Sequence, residues 1–387
     1  MVNLIQEMAD FAWSDAADAQ PKYEQVRDYV VSQIESGAIK SGAALPSEHR
    51  LAEALKVARS TIRQALAALE QGGLVHRIHG KGTFVHDEAR QRINNQKGQG
   101  LLALVVPETE AAFYPSLQRS FESAAAELHN QVIVCNTNND IDKQGSAILK
   151  LIDLQVSGVA IIPTASLPTP AFHIQQLQKH GIPVVCCSRS VAGVQTPLLA
   201  IPHDKVGRRA GEAIRQAGHT RVAFFSSGHG AVSTAYDREF RKAMGPEANV
   251  SVFVASCKPT DYERLQAESQ EALEEMFRQP HPPTAIFCGF DSLAEWIYLQ
   301  LLRLGLRVPQ DISVVGFGGS FRGGGLASQL ASVTVDEIGL GQQAIELLAK
   351  MRCGELAFDV AESRELPLSF SGGHTLGRCP AADASQS

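Results

Sequence analysis

The sequence predicts an α/β protein in two parts, a small helical domain closed by a two-stranded hairpin and a larger two-lobed domain built on parallel sheets. Three observations predict this. Within Leu45 to Val85 a Pro-Ser-Glu turn, an Arg-Ser-Thr-Ile-Arg helix start and a Gly-Lys-Gly-Thr hairpin follow one another closely. Between Asp87 and Gly100 the chain turns polar and almost free of large apolar residues, which suits an exposed linker. From Leu101 onward short continuous apolar runs alternate with amphipathic runs, the pattern of strands covered on both faces by helices. The expected divisions are an N-terminal extension (1–19), the small domain (20–87), the linker (88–100) and the two-lobed domain (101–387).

In the small domain Pro21 opens a helix with Tyr23, Val26, Val30 and Ile34 at helical spacing, and Gly37 stops it. Ser47 caps a second helix whose Leu51, Ala54 and Leu55 face inward. Ala58-Arg59 opens the third. There Ile62, Leu66 and Leu69 form a buried stripe, while Arg59 and Arg63, four apart, project from one face. Arg59 also lies in the first turn, where the positive end of the helix dipole disfavours a cation. Folding gives no reason for it; a guanine edge or a phosphate does. Gly72-Gly73 ends this helix, and Leu74 to Ile78 and Thr83 to Val85 flank His79-Gly80-Lys81-Gly82 as a wing whose glycines permit positive φ. The domain reads as a winged helix-turn-helix. From Lys40 to Gly82 the basic residues Lys40, Arg50, Lys56, Arg59, Arg63, Arg77 and Lys81 outweigh Glu48, Glu53 and Glu70, a local positive footprint.

Tyr23-Glu24-Gln25-Val26, Leu45-Pro46-Ser47-Glu48, Arg59-Ser60-Thr61-Ile62-Arg63 and Gly80-Lys81-Gly82-Thr83-Phe84-Val85 together resemble the DNA-binding domain of GntR-type transcription regulators over roughly its whole length. The resemblance implies that Arg59 and Arg63 read bases in the major groove and that Gly80 approaches the minor groove. It marks Ser47, Glu48, His49, Arg59, Ser60, Thr61, Arg63, His79, Gly80, Lys81 and Gly82 as the expected contacts with double-stranded DNA. Two departures stand out. His49 occupies a position where the family usually has arginine, and Ala58 replaces a usual Ser or Thr, so that helix start lacks a side-chain cap worth about 1 kcal/mol.

The whole chain is acidic, with 35 Lys and Arg against 41 Asp and Glu for a formal charge of -6, so nonspecific attraction to nucleic acid is modest. No apolar run approaches the roughly 20 residues that span a bilayer. Glu7, Asp10, Asp15 and Asp18 deny the N-terminus the basic region of a signal peptide, so the expectation is a cytoplasmic protein without a membrane partner. Cys135, Cys186, Cys187, Cys257, Cys288, Cys353 and Cys379 form no Cys-x-x-Cys pair, so neither metal nor redox spacing is present and no cofactor is expected. The motifs of phosphate-binding loops, zinc proteases and serine hydrolases are missing, which argues against an enzyme.

In the large domain strands are expected at Leu101 to Val106, Gln131 to Cys135, Gly158 to Ile162, Pro183 to Cys187, Arg221 to Phe225, Ser251 to Ala255, Ala285 to Cys288 and Ile312 to Gly316. Phe113-Tyr114, Ser157-Gly158-Val159, Gly218-His219-Thr220-Arg221-Val222-Ala223, Phe240-Arg241-Lys242-Ala243, Thr284-Ala285-Ile286-Phe287-Cys288, Gly339-Leu340-Gly341 and above all Val308-Pro309-Gln310-Asp311-Ile312-Ser313-Val314-Val315-Gly316-Phe317 resemble the effector domain of the lactose- and galactose-repressor family, related to periplasmic sugar-binding proteins. Ligands of open α/β sheets bind beyond the carboxyl ends of strands. That rule and the resemblance together mark Phe113, Tyr114, Ser188, Arg189, Tyr236, Phe290 and Asp291 as effector-binding. Asp291 matches the family aspartate that accepts hydrogen bonds from ligand; its alternative is to cap the helix Ser292 to Arg303. Tyr236 stands where the family usually has arginine, Ser188 where it often has aspartate, Phe290 where it often has a small or amide residue, and His203-Asp204 where it often has Asp-Asn.

The resulting expectation is a transcriptional repressor controlled by a small-molecule effector, a sugar or sugar derivative first, whose domain order resembles the arabinose repressors of Gram-positive bacteria. It implies a homodimer on a near-palindromic operator. The alternative is a small-molecule sensor whose DNA domain is vestigial or acts through a partner.

Overall fold

The computed structural model describes residues 21–78, 80–87, 89, 93, 100–165, 167–228, 230–257, 261–321 and 323–380. The extension 1–19, His79 and most of 88–100 lie outside the described residues. The chain separates into two compact units between Gly100 and Leu101.

In the first unit, helix α1 (Lys22–Ser36) buries Val26, Val30 and Ile34, and Gly37 ends it at φ 82, a left-handed conformation that costs glycine little. Helix α2 (Glu48–Ala54) starts where Ser47 Oγ accepts from the Arg50 amide at 3.4 Å. Its inward face is Leu51, Ala52 and Leu55, with Ala54 only half-buried. Helix α3 (Arg59–Gln71) buries Ile62, Ala65, Leu66 and Leu69, and Ala58 before it offers no side-chain cap. Strands β1 (Val75–Ile78) and β2 (Gly82–Val85) pair antiparallel in the register Val75 to Val85 and Ile78 to Gly82. One expectation is corrected here. Ala89 and Ile93, expected in an exposed linker, are buried in the core that α1, α2 and α3 share. They lie four residues apart, so two small apolar groups meet one surface even in a polar stretch.

The second unit contains two six-stranded sheets, each the centre of a lobe. The first lobe takes β3 (Leu101–Val106), α4 (Tyr114–Glu127), β4 (Gln131–Asn136), α5 (Ile141–Asp153), β5 (Gly158–Ile161), α6 (Ala171–Lys179), β6 (Val184–Ser188) and β7 (Leu198–Ala200). The second lobe follows with α7 (His203–Gln216), β8 (Arg221–Ser227), α8 (Ala231–Met244), β9 (Asn249–Ala255), α9 (Tyr262–Arg278), β10 (Ala285–Cys288), α10 (Asp291–Arg303), β11 (Ser313–Gly319) and β12 (Ala331–Val335). The chain then returns to the first lobe with α11 (Glu337–Arg352) and β13 (Ser363–Glu365), and ends in the second with β14 (Leu368–Ser371). The first sheet runs β13-β7-β6-β5-β3-β4 and is parallel throughout. The second runs β14-β12-β11-β10-β8-β9 and is parallel except for β14, which lies antiparallel on β12. That edge strand departs from the purely parallel expectation, and only Leu366 and Pro367 separate it from β13 of the other sheet.

The lobes are joined by three crossings, at Ile201-Pro202, at Asp336 and at Leu366-Pro367. Two contacts fix what lies beside them. Glu337, fully buried, accepts from Ser116 Oγ at 2.7 Å in the first lobe and from the Ser320 amide at 2.6 Å at the end of β11 in the second. Helices α7 and α8 touch through glycine: a methyl group on Gly207 would sit 2.3 Å from the Tyr236 carbonyl oxygen, and one on Gly211 2.7 Å from Ala243 Cβ.

Candidate functional site: a DNA-reading face and a ligand cavity

On the first unit, the amphipathic sequence of α3 turns its apolar stripe inward and so presents Arg59, Ser60 and Arg63 to solvent, with Thr61 half-buried. Ser47 and His49 are exposed at the start of α2, and His49 Nε2 sits 3.6 Å from Glu53 Oε1 one turn on. Glu48, half-buried, meets two cations: Arg63 Nη2 at 3.5 Å and Arg77 Nη2 at 3.7 Å. The wing tip carries exposed Gly80, Lys81 and Gly82, with φ of 73° at Gly80 and 120° at Gly82. An added methyl group at either glycine would meet nothing within 4 Å, so the backbone conformation, not crowding, is what calls for glycine there.

Within the second unit a cavity of about 380 Å³ opens at the carboxyl ends of both sheets, the size of a small-molecule site. Phe113, Tyr114, Ser188, Arg189, Tyr236 and Phe290 line it. Phe113 and Tyr114 stack on each other with ring centroids 4.6 Å apart, and Phe317 meets Tyr236 edge-on at 5.7 Å, so the walls are largely aromatic. Ser188 ends β6 at φ 69°, an uncommon conformation for a residue with a side chain. Its Oγ lies 3.0 Å from His203 Nε2, and His203 Nδ1 lies 3.0 Å from the Tyr236 hydroxyl. This chain of three crosses from the first lobe to the second. Burial, reinforced by the Arg189 charge, lowers the His203 pKa to about 3, so the imidazole is neutral and donates through one nitrogen while accepting through the other.

Asp291 is placed differently from the other expected effector residues. It is absent from the cavity wall and opens α10, with Phe290 in the capping position. Its Oδ1 accepts from Ser332 Oγ at 2.7 Å on β12, and Gly316 gives it room, since a methyl group there would lie 2.2 Å from the carboxylate. The hydrogen bond from Ser332 ties α10 to the sheet.

Sequence reasoning missed several lining residues. Tyr262, the first residue of α9, donates its hydroxyl to Glu108 Oε2 at 2.7 Å across the cleft, and Glu108 Oε1 accepts the amides of Thr109 at 2.7 Å and Glu110 at 2.6 Å. Burial, and then the carboxylate, push the Tyr262 phenol well up. Ser227 at the end of β8 and Ser292 in the first turn of α10 also line the cavity. Their hydroxyls and Arg189 Nε are buried without a hydrogen-bond partner. Unsatisfied buried polar atoms are uncommon and costly in folded proteins. All three belong to residues that line the same cavity. Among the described residues no cluster of His, Cys, Asp or Glu is arranged to hold a metal ion, and no helix is long and apolar enough to cross a membrane.

Fold and site thus define a class, a helix-turn-helix module followed by a two-lobed domain with a small-molecule cavity. The comparisons say what it resembles. Residues 22–85 match bacterial regulatory proteins of the gntR family, and residues 212–365 match the periplasmic binding protein-like domain. The chain carries a GntR-type helix-turn-helix domain and a periplasmic-binding-protein-like domain. It is 27% identical over 336 residues to the arabinose metabolism transcriptional repressor of Geobacillus stearothermophilus, covering 86% of this chain and 91% of that protein. The corresponding repressor of Halalkalibacterium halodurans is 26% identical over 85% of this chain and 88% of its own length. In fold, the second unit is similar to a periplasmic binding protein/LacI transcriptional regulator from Alkaliphilus metalliredigens solved with D-xylulofuranose, at a TM-score of 0.59 and 18% identity over 72% of this chain and 99% of that one.

Proposed function

We propose that this chain is a transcriptional repressor that reads DNA with α3 and the wing and releases it when a small hydroxylated molecule, a sugar or sugar derivative, fills the cavity. The observation that carries the sensing half is the trio of unpartnered atoms, Arg189 Nε, Ser227 Oγ and Ser292 Oγ, in residues that line one cavity from both lobes. A ligand that satisfies all three must touch both lobes, because Arg189 follows β6 while Ser227 and Ser292 belong to the second lobe. Ligand therefore favours a closed arrangement over an open one, which is the differential affinity a conformational switch requires. The reading half rests on Arg59 and Arg63, which share an exposed face with no packing role. Ser47, Glu48, His49, Ser60 and Thr61 flank that face, and Gly80, Lys81 and Gly82 form the wing contact.

The protein works as a cytoplasmic homodimer on a near-palindromic operator, since one helix reads too few bases to be selective alone. The relatives being arabinose repressors supports a carbohydrate effector. Selection of bound fragments from random DNA by the full-length chain tests this. A two-fold symmetric consensus should emerge, bound with an affinity that falls steeply between about 50 and 200 mM salt. Recovery of no consensus, with binding indifferent to salt, would overturn the assignment.

A further inference from the structure

The cavity wall holds a cation with no anion to face. Arg189 is half-buried, the surface it retains lines the cavity, and burial pushes its pKa down. Its ionisable company is Tyr114 and Tyr236, and burial raises both phenols, Tyr114 to about 12, so both are neutral. His203 is neutral as well. The one carboxylate on the wall, Glu108, is engaged by two backbone amides and by Tyr262. Among the described residues no carboxylate lies within ion-pairing distance of Arg189. A buried charge is ordinarily paired, and an unpaired one costs stability until something pairs it.

Backbone positive charge converges on the same space. Helix α4 begins at Tyr114 and α8 at Ala231; both starts meet the cavity, through Phe113 and Tyr114 and through Gly230, Val232 and Ser233. Neither helix has a side-chain cap or an acidic residue in its first turn. The positive end of a helix dipole favours an anion, and here two such ends, one from each lobe, accompany an unpaired guanidinium, although on α4 the Tyr114 amide is already bonded to the Ala111 carbonyl and Pro115 has none to offer.

We infer that the effector carries a negative charge, a carboxylate or a phosphate on a small hydroxylated body, and that Arg189 is the residue that selects for it. A planar guanidinium takes two oxygens of either group at once. The hydroxyls of the same molecule reach Ser227 and Ser292. The inference rests on the sensor reading above and narrows it from sugars in general to acidic ones.

Calorimetry on the full-length chain with paired probes tests it: D-glucuronate against D-glucose, D-galacturonate against D-galactose, ribose 5-phosphate against ribose. At least one acid should bind ten-fold or more tighter than its neutral partner, and whether a uronate or the phosphate wins decides between the two anions. In Arg189→Gln the acid should lose far more affinity than its neutral partner, so that the preference disappears; in Arg189→Lys part of it should return, which separates charge recognition from a folding defect. If a neutral sugar binds at least as tightly as its acid, or if Arg189→Gln keeps the preference, the inference fails and the sensor reading stands. If the chain binds DNA yet responds to no probe of either kind, both fail.

Discussion

Arg63 Nη2 lies 3.5 Å from Glu48 Oε2, and Glu48 Oε1 faces Arg77 at 3.7 Å, so one carboxylate at the start of α2 meets an arginine of α3 and an arginine of the wing. Exposed ion pairs add little stability. The proposed role of this one is to orient Arg63 as it leaves α3.

Arg63→Ala should therefore weaken operator binding by about 1 to 3 kcal/mol and relax the preference at one base position of each half-site. Lys81→Ala should lower affinity for all sequences alike. Anisotropy titrations against operator and scrambled duplex check both, and equal binding of each duplex by Arg63→Ala and the parent would mean that α3 is not the reading helix.

Glu48→Gln removes a negative charge from the proposed DNA-facing surface, and it frees both arginines. Affinity for scrambled DNA should rise, and the ratio of operator to scrambled binding should fall. A ratio that stays fixed would show that Glu48 does not orient Arg63.

His203 gives the second unit a pH dependence of predictable sign. Its folded pKa is depressed to about 3 from 6.5, so below 6.5 the unfolded chain takes up a proton that the folded chain refuses. Stability is thus full above pH 6.5 and is lost as pH falls, by about 1 to 2 kcal/mol at pH 5. Chemical denaturation at pH 7.5 and pH 5 should reveal this loss, and His203→Gln should flatten it. An unchanged slope in the variant would place the sensitivity elsewhere.

Tyr262→Phe deletes the hydrogen bond to Glu108 that spans the cleft. A bond to a carboxylate contributes about 1.5 to 3 kcal/mol, so the closed arrangement should lose that much relative to the open one. Small-angle scattering of the variant without ligand should report a larger radius of gyration. Identical curves would show that this contact does not govern closure.

Much of this was readable in advance, for reasons that differ by element. Helix α3 announces itself because Ile62, Leu66 and Leu69 repeat at helical spacing and leave the arginines one direction to point. The cavity residues Ser188, Arg189 and Phe290 follow from strands whose carboxyl ends are visible as the ends of apolar runs. Ser227 escaped because Ser226 and Ser227 close the apolar run while the ladder with β9 continues through them. Strand β12 escaped for a similar reason: Ser332 and Thr334 make it look half-polar, yet both are buried. Asp291 illustrates the limit most clearly. Position at a strand end is encoded locally, but the hydrogen bond its carboxylate accepts comes from Ser332, 41 residues on. Glu108 and Tyr262, 154 residues apart, carry no local pattern that would pair them.

The triple crossing between the lobes makes the second unit mechanically simple. One connection would let the lobes swivel and two would let them twist, whereas three side by side leave rotation about a single axis as the soft motion. Two of the three contain proline, whose fixed φ stiffens the link, and Glu337 bridges the remaining one from both sides. Such a joint transmits ligand arrival as an angle. Any effector able to close the cleft, whatever its shape, would deliver the same stroke to whatever is attached at Leu101.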